Sequence, residues 1–311
     1  MKLIKPSFEI WEQSAGLEGV YKQIEKVGRV CYKSEDKITE DSAKPFVDRM
    51  IKSGHGAMLE HGTVYLQYEV VKGAINPLTK YYLNKYSKVK AKEGAIGETM
   101  RLFVTTNLRV LVENDWLDDL QYICEPTEYH ERRVTVHFVC DRGVSHEFVR
   151  HRVMSFAQES TRYCNYSKDK FGNELTFIIP CWLDVPDALS LKDSMDVKKF
   201  VWGTDNLAAT VEEKGVVNRQ VSKFTQRFLY EMQGVEDTYI ELINSGWKPQ
   251  EARAVLPNSL KTELVVTGFT SDWNHFFDLR ARGTTGAPHP QAKELAEPLM
   301  KEFIARKYIN N

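Results

Sequence analysis

Two periods run through the chain. From Thr63 to Val71, Val64, Leu66, Tyr68 and Val70 alternate with Tyr65, Gln67 and Glu69, the two-residue period of a strand with one face on a core. The run from Arg132 to Cys140 repeats the pattern, with Val134, Val136, Phe138 and Cys140 on one face. Asp141-Arg142-Gly143 then reads as a turn and Ser145 as the cap of a following helix. Asp41-Ser42 is placed to cap a helix carrying Phe46, Met50 and Ile51, with Gly54 just past its end. Leu102 to Val112 reads as strand, Tyr166 to Asn173 as a polar turn, and Thr176 to Ile179 as a short strand ended by Pro180. Residues 206–245 carry the helical period, with Phe224, Phe228, Met232, Val235, Tyr239, Leu242 and Ile243 at spacings of three and four, and Gly246 closes the run. Pro249 opens a short helix that Pro257 stops, and a last helix starts after Pro290.

Strands mixed with long helices, without regular strand–helix alternation, predict an α+β fold with a mixed, largely antiparallel central sheet flanked by helices. No repeat, low-complexity tract or flexible linker divides the chain, so residues 1–311 read as one domain. Charge then narrows the function. Lys plus Arg number 42 against 43 Asp plus Glu, a formal net charge of -1. Bulk electrostatics therefore gives no ground for non-specific binding of nucleic acid or membrane, and any polyanion chemistry needs a local cationic cluster.

The five cysteines, at 31, 124, 140, 164 and 181, form no C-x-x-C pair and no metal-ligand spacing with histidine, which predicts free thiols, no metal and a cytoplasmic protein. Cys181, after Pro180, has no cationic sequence neighbour to activate it and reads as a small buried residue. Glu9 and Glu12 interrupt what a signal peptide would need as its apolar region, and no apolar run approaches the roughly 18 residues of a spanning helix. A phosphate-binding G-x-x-x-x-G-K-[ST] loop is absent, and His146 and His151 stand five apart instead of the four of a zinc-protease helix.

One segment stands out. Between Ser145 and Lys170, Arg150-His151-Arg152 is followed by the short hydrogen-bonding residues Ser155, Gln158, Ser160 and Thr161, then Arg162. The arginine triplet reads as the first two turns of a helix, on which Arg150 and Arg152 would point about 200° apart and serve different ligands. A guanidinium fork meets phosphate or carboxylate bidentately, and Ser160, Thr161 and Arg162 add donors for a phosphate. The competing reading is a solvated basic face.

Arg150-His151-Arg152, seven residues, then Ser160-Thr161-Arg162-Tyr163 resembles the hallmark motif of the flavin-dependent thymidylate synthases. His55 with Glu60-His61, Ala252-Arg253-Ala254-Val255-Leu256-Pro257, and Phe276-Phe277-Asp278-Leu279-Arg280 resemble further elements of that family, in family order. The chain is longer than compact members, mostly near 72–130 and 185–215.

The resemblance implies an enzyme that transfers the methylene of 5,10-methylenetetrahydrofolate to dUMP and reduces it with hydride from reduced FAD (FADH2). NADPH would reduce the flavin, no cysteine nucleophile would be used, and a homotetramer would share its active sites. It makes Arg280 the catalytic residue, beside the uracil ring. Glu147, Arg150, Gln158, Glu159, Ser160, Thr161, Arg162 and Arg253 would contact dUMP with it. FAD would lie along His55, Ala57, Arg150, His151, Arg152, Gln158, Phe269, Ser271 and His275. In relatives an Asn and an Arg of a T-x-N-x-R-[SE] run also touch FAD; here those positions hold Phe269 and Ser271, with Asp272 next, so the flavin would be held partly by other contacts. Two other functions remain open. A nucleotide- or RNA-binding protein would show a steep salt dependence, and a flavoprotein acting on another nucleotide would fit the altered flavin run.

Overall fold

The computed structural model describes residues 1–72, 79–94, 97–183, 185, 188–190, 209–213 and 216–310. Its strands are β1 (Lys2–Ile4), β2 (Ser7–Trp11), β3 (Thr63–Val71), β4 (Lys88–Glu93), β5 (Thr99–Asn107), β6 (Arg133–Asp141), β7 (Ser155–Gln158), β8 (Thr176–Ile178), β9 (Ala188–Ser190), β10 (Ala209–Glu213), β11 (Val216–Val221) and β12 (Lys261–Phe269). The helices are α1 (Gly16–Tyr32), α2 (Ala43–Lys52), α3 (Gly56–Leu59), α4 (Thr79–Tyr82), α5 (Leu108–Glu113), α6 (Arg142–Phe148), α7 (Lys223–Asn244), α8 (Pro249–Ala252), α9 (Thr270–Phe277) and α10 (Pro290–Ala305).

The expected α+β architecture is borne out. A four-stranded antiparallel sheet, ordered β2-β6-β12-β7, forms the centre. A second antiparallel sheet, β3-β5-β4, stands beside it, and β1 pairs in parallel with β8 and antiparallel with β9. Strand alternation gives the central sheet two different faces. Val134, Val136, Phe138 and Cys140 of β6, with Leu264 and Val266 of β12, pack against α6, α9 and α10. On the opposite face Val265 and Ala157 meet Val27 and Val30 of α1. The preceding turns of α1 carry Val20 and Ile24 into the core of the second sheet, so one amphipathic helix joins the two sheets. Gly28 permits α2 to approach α1, because a Cβ there would stand 2.6 Å from the Phe46 ring. Among the described residues no helix is long and apolar enough to cross a membrane.

Several local expectations are corrected. Asp141 is the helix cap, accepting from the Val144 amide at 2.7 Å, and Ser145 lies inside α6. The helix ends at Phe148, so Arg150-His151-Arg152 sits in the turn between α6 and β7. The opposed directions expected of two helical arginines therefore lose their basis. The strand read over Leu102–Val112 stops at Asn107, whose side chain accepts from the Val110 amide and starts α5. The helical run read from 206 begins at Lys223 behind a Ser222 cap, with residues 209–213 and 216–221 in strands and 206–208 and 214–215 outside the described residues. Cys181 is exposed.

Phe138 is fully buried and touches the rings of Phe148, Trp273 and Phe276. Truncating a buried phenylalanine costs about 3–5 kcal/mol. Phe138→Ala is expected to lower the urea midpoint by that equivalent without changing the m-value; a loss below about 1 kcal/mol would contradict this packing.

Candidate functional site

The pairing of β6 with β12 launches two helices from opposite ends of the central sheet. α6 follows Asp141 and α9 follows Phe269, whose register partners are Lys261 and Arg133 respectively. Both helices lie on the same apolar face and touch through the Phe148 and Phe276 rings, 4.9 Å apart. Beyond α9 a π-helical turn, Asp278–Arg282, brings Arg280 back to the end of α6. There Nη1 donates to Glu147 Oε2 at 2.6 Å, Nη2 to the Glu147 carbonyl at 2.7 Å, and Nε to His151 Nε2 at 3.2 Å.

That last bond fixes the imidazole. To accept at Nε2, the His151 ring must be neutral with its proton on Nδ1. Burial pushes its pKa down to about 4, and the Arg280 charge and His275 push the same way. His275 stands edge-on, ring centroids 5.9 Å apart, and is exposed. Arg150 is exposed and lies 3.5 Å from the other Glu147 oxygen; Arg152 is exposed as well. Glu147 is thus held between Arg280 and Arg150.

A second cationic group forms around the loop after β7. Arg253 Nη1 donates to Thr161 Oγ1 at 3.4 Å, Arg162 Nε to Gln250 Oε1 at 3.3 Å, and the Arg162 amide to Ser160 Oγ at 3.3 Å. Gln158 faces the first group, donating through Nε2 to Ser145 Oγ of α6 at 2.8 Å and to Thr262 Oγ1 at 3.2 Å. Of the residues assigned from the sequence, the structure therefore brings Glu147, Arg150, His151, His275 and Arg280 together, and separately Ser160, Thr161, Arg162 and Arg253.

The side chains of Glu159 and Phe269 are engaged within the protein. The Glu159 carboxylate is buried and taken by Lys261 and Tyr166, because strand alternation turns it to the sheet face opposite Gln158. Phe269 is 5% exposed, with Lys88 and Arg133 over its ring. Ser271 is exposed and donates to Glu131, and His55 and Ala57 are exposed around the start of α3. Glu60 pairs with Arg109, and His61 is buried with its pKa lowered to about 3, bonded to Thr267.

Two contributors were missed from the sequence. A cleft of about 560 Å³ is lined by Glu147 and Arg150 together with Trp182 and His289, whose rings lie edge-on at 6.1 Å. Trp182 is 59% exposed, and no periodicity marked it, because it follows Pro180 outside any regular element.

The profile of the thymidylate synthase complementing protein family matches residues 126–306, more than half of the chain and all of both cationic groups. The chain belongs to that family. Among curated relatives, flavin-dependent thymidylate synthases of Geobacter sulfurreducens and Pyrococcus furiosus are 30% and 28% identical over 139 and 170 residues. These matches cover 45% and 55% of this chain and 43% and 53% of theirs, so the chain matches about half the length of these relatives. That of Corynebacterium aurimucosum is 23% identical over 94% of this chain and 78% of its own. A UMP/dUMP methylase, PolB, from Streptomyces cacaoi, solved with 5-Br dUMP, aligns over 98% of this chain and 93% of its own at 16% identity and a TM-score of 0.41. The resemblance read from Arg150 to Arg162 and its companion motifs is thus borne out at the level of the family.

His151 has a pKa lowered from 6.5, so the unfolded chain binds the extra proton first on acidification. Its contribution to stability is complete above about pH 6.5 and is lost as pH falls towards about 4. Urea midpoints should fall through that window, and His151→Gln, which retains a side-chain acceptor for Arg280, should flatten the fall. An NMR titration of His151 with a midpoint near 6.5 would overturn the assignment.

Proposed function

We propose that this chain is a flavin-dependent thymidylate synthase. It transfers the methylene of 5,10-methylenetetrahydrofolate to dUMP and reduces it to give dTMP, with NADPH as the reductant of the flavin. The observation that carries the reading is the Arg280 guanidinium, held on three sides by Glu147 and the neutral imidazole of His151. A uracil ring must become electron-rich at C5 before it attacks a methylene donor, and a fixed guanidinium beside N3 and the ring oxygens stabilises that charge without reorganising. Glu147 keeps Arg280 aimed and offers a carboxylate to a base N–H or a sugar hydroxyl. Arg162, Arg253, Ser160 and Thr161 fit a nucleotide phosphate, with Arg150 and Gln158 alongside the sugar and base.

The donor set also fits FAD. Exposed Arg150 and Arg152 suit a diphosphate, while the His151–His275 pair, with exposed His55 and Ala57, suits the flavin ring. Ser271 adds a hydroxyl in place of a guanidinium, and buried Phe269 adds only its main chain. Bound and reduced, FAD supplies the hydride that completes the methyl group.

Two features support a homotetramer with shared sites. The phosphate-suited group and the base-suited group have separate partners within one chain, so neither alone surrounds a nucleotide. Val149, Val153 and Tyr163, flanking the arginine motif, are 37%, 54% and 57% exposed, apolar surface that a neighbouring subunit would cover. The cysteines support a mechanism without a thiol nucleophile. Burial pushes the thiols of Cys31 and Cys164 up to about 11 and 12 and raises those of Cys124, Cys140 and Cys181.

Anaerobic turnover of dUMP with methylenetetrahydrofolate, NADPH and FAD, followed by product analysis, tests the proposal; absence of dTMP in the complete mixture would refute it. Arg280→Ala is expected to abolish dTMP formation while NADPH still reduces the flavin. Arg162→Ala and Arg253→Ala each remove a charge-assisted bond of about 1.5–3 kcal/mol and should weaken dUMP binding by one to two decades. Cys181→Ala should leave turnover intact.

A further inference from the structure

Gln158 and Glu159 are neighbours that face opposite sides of the central sheet. The Gln158 side chain reaches Ser145 of α6, whereas Glu159 turns toward α1 and is 2% exposed. Its carboxylate is fully engaged there, accepting from Tyr166 OH at 3.0 Å and from Lys261 Nζ at 2.8 Å. Lys261 also meets Glu263, which in turn holds Lys33 at 2.8 Å and His137 at 2.9 Å. Lys33, just past α1 in the left-handed conformation at φ 48°, closes the set by pairing with Glu35.

The charges reinforce one another. Burial alone would lower the Lys261 pKa and raise that of Glu263, yet Glu159 and Glu263 bring Lys261 above its ordinary value. His137, Lys261 and Lys33 together hold Glu263 well below its own. Buried ion pairs seldom add more stability than apolar residues of the same volume would, but removing one partner strands the other charge. Such a network has more to offer in fixing one geometry than in net stability.

What it fixes is the loop that starts at Ser160. The Glu159 amide donates to the Glu263 carbonyl at 2.9 Å, and the Ser160 amide to the Cys31 carbonyl, at the end of α1, at 3.0 Å. Glu159 anchored by side chain and main chain leaves Ser160, Thr161 and Arg162 with one starting direction. Tyr166, on the far side of the loop, binds the same carboxylate, so both ends of the segment are tied to one point. A phosphate held by several donors is sensitive to small displacements of any of them.

We infer that Glu159, clamped by Lys261 and Tyr166, is a positioning residue that presets the Ser160–Arg162 loop for the phosphate of the nucleotide substrate. It acts from the opposite sheet face without touching the ligand. This rests on the dUMP reading above and adds residues to it that no phosphate contact would reveal.

Calorimetric titration of the full chain with dUMP and with deoxyuridine, which lacks the phosphate, tests it. Glu159→Gln should raise the dUMP dissociation constant about tenfold and leave that for deoxyuridine unchanged, and in turnover the loss should fall on KM more than on kcat. Lys261→Met should match it, the double variant should be no worse than either single one, and Lys261→Arg should recover most of the affinity. Tyr166→Phe, which deletes one hydroxyl, keeps the test available if Glu159→Gln does not fold, and should give a two- to threefold loss confined to dUMP. Unchanged dUMP affinity in a folded variant, or equal weakening of both ligands, would overturn the inference. Wild-type protein that binds dUMP no better than deoxyuridine would instead bring down the phosphate reading of the loop, and the inference with it.

Discussion

The antiparallel pairing of Arg133–Asp141 with Lys261–Phe269 is the constraint on which the site depends. Its nine register pairs decide which side chains face α1 and which face α6, α9 and α10. A slip of one residue would exchange the two sets. Val136, Phe138, Leu264 and Val266 specify the apolar face, and their burial against Trp273, Phe276 and Phe277 makes the correct register much the lowest in energy. The same pairing launches α6 and α9 from opposite ends of the sheet. Their far ends then meet, and Arg280 reaches Glu147 and His151 because of it.

Charge is handled differently on the two faces. On the α6 side, Arg280 and Arg150 share one carboxylate, and His151 is kept neutral by burial beside a guanidinium, so the region keeps cationic donors for a ligand. On the α1 side, Lys33, Lys261, Glu159 and Glu263 satisfy one another within the protein. The balance of 42 basic against 43 acidic residues conceals this division. A near-neutral chain can hold a closed network of paired charges and a separate set of accessible arginines a few residues apart in sequence.

The two strands with clear alternation, β3 and β6, were legible because burial on one face imposes a period of two that neighbouring residues cannot hide. The helical stretch ending at Gly246 was legible for the parallel reason at a period near 3.6, although its start was overrun into strand residues. Two of the errors share a cause. Asp141 and Asn107 cap helices through side-chain bonds to amides three residues on, and until those bonds are known the first reads as a turn and the second as strand. Reading Asp141 as a turn moved α6 toward the C-terminus and carried Arg150-His151-Arg152 onto a helix it does not occupy.

The sequence by itself determined the family, through motifs whose residue types and spacing are demanded together, and it determined the α+β class through its two periods. It also named the residues that form the two cationic groups. Tertiary structure alone decided how they divide. That Arg280 lies against Glu147 and His151, that Glu159 turns away from Gln158, and that Trp182 joins the cleft all depend on contacts between segments far apart in the chain. Spacing along a chain encodes which face of an element a residue occupies. What waits opposite that face is fixed only when the sheet register brings another element to it.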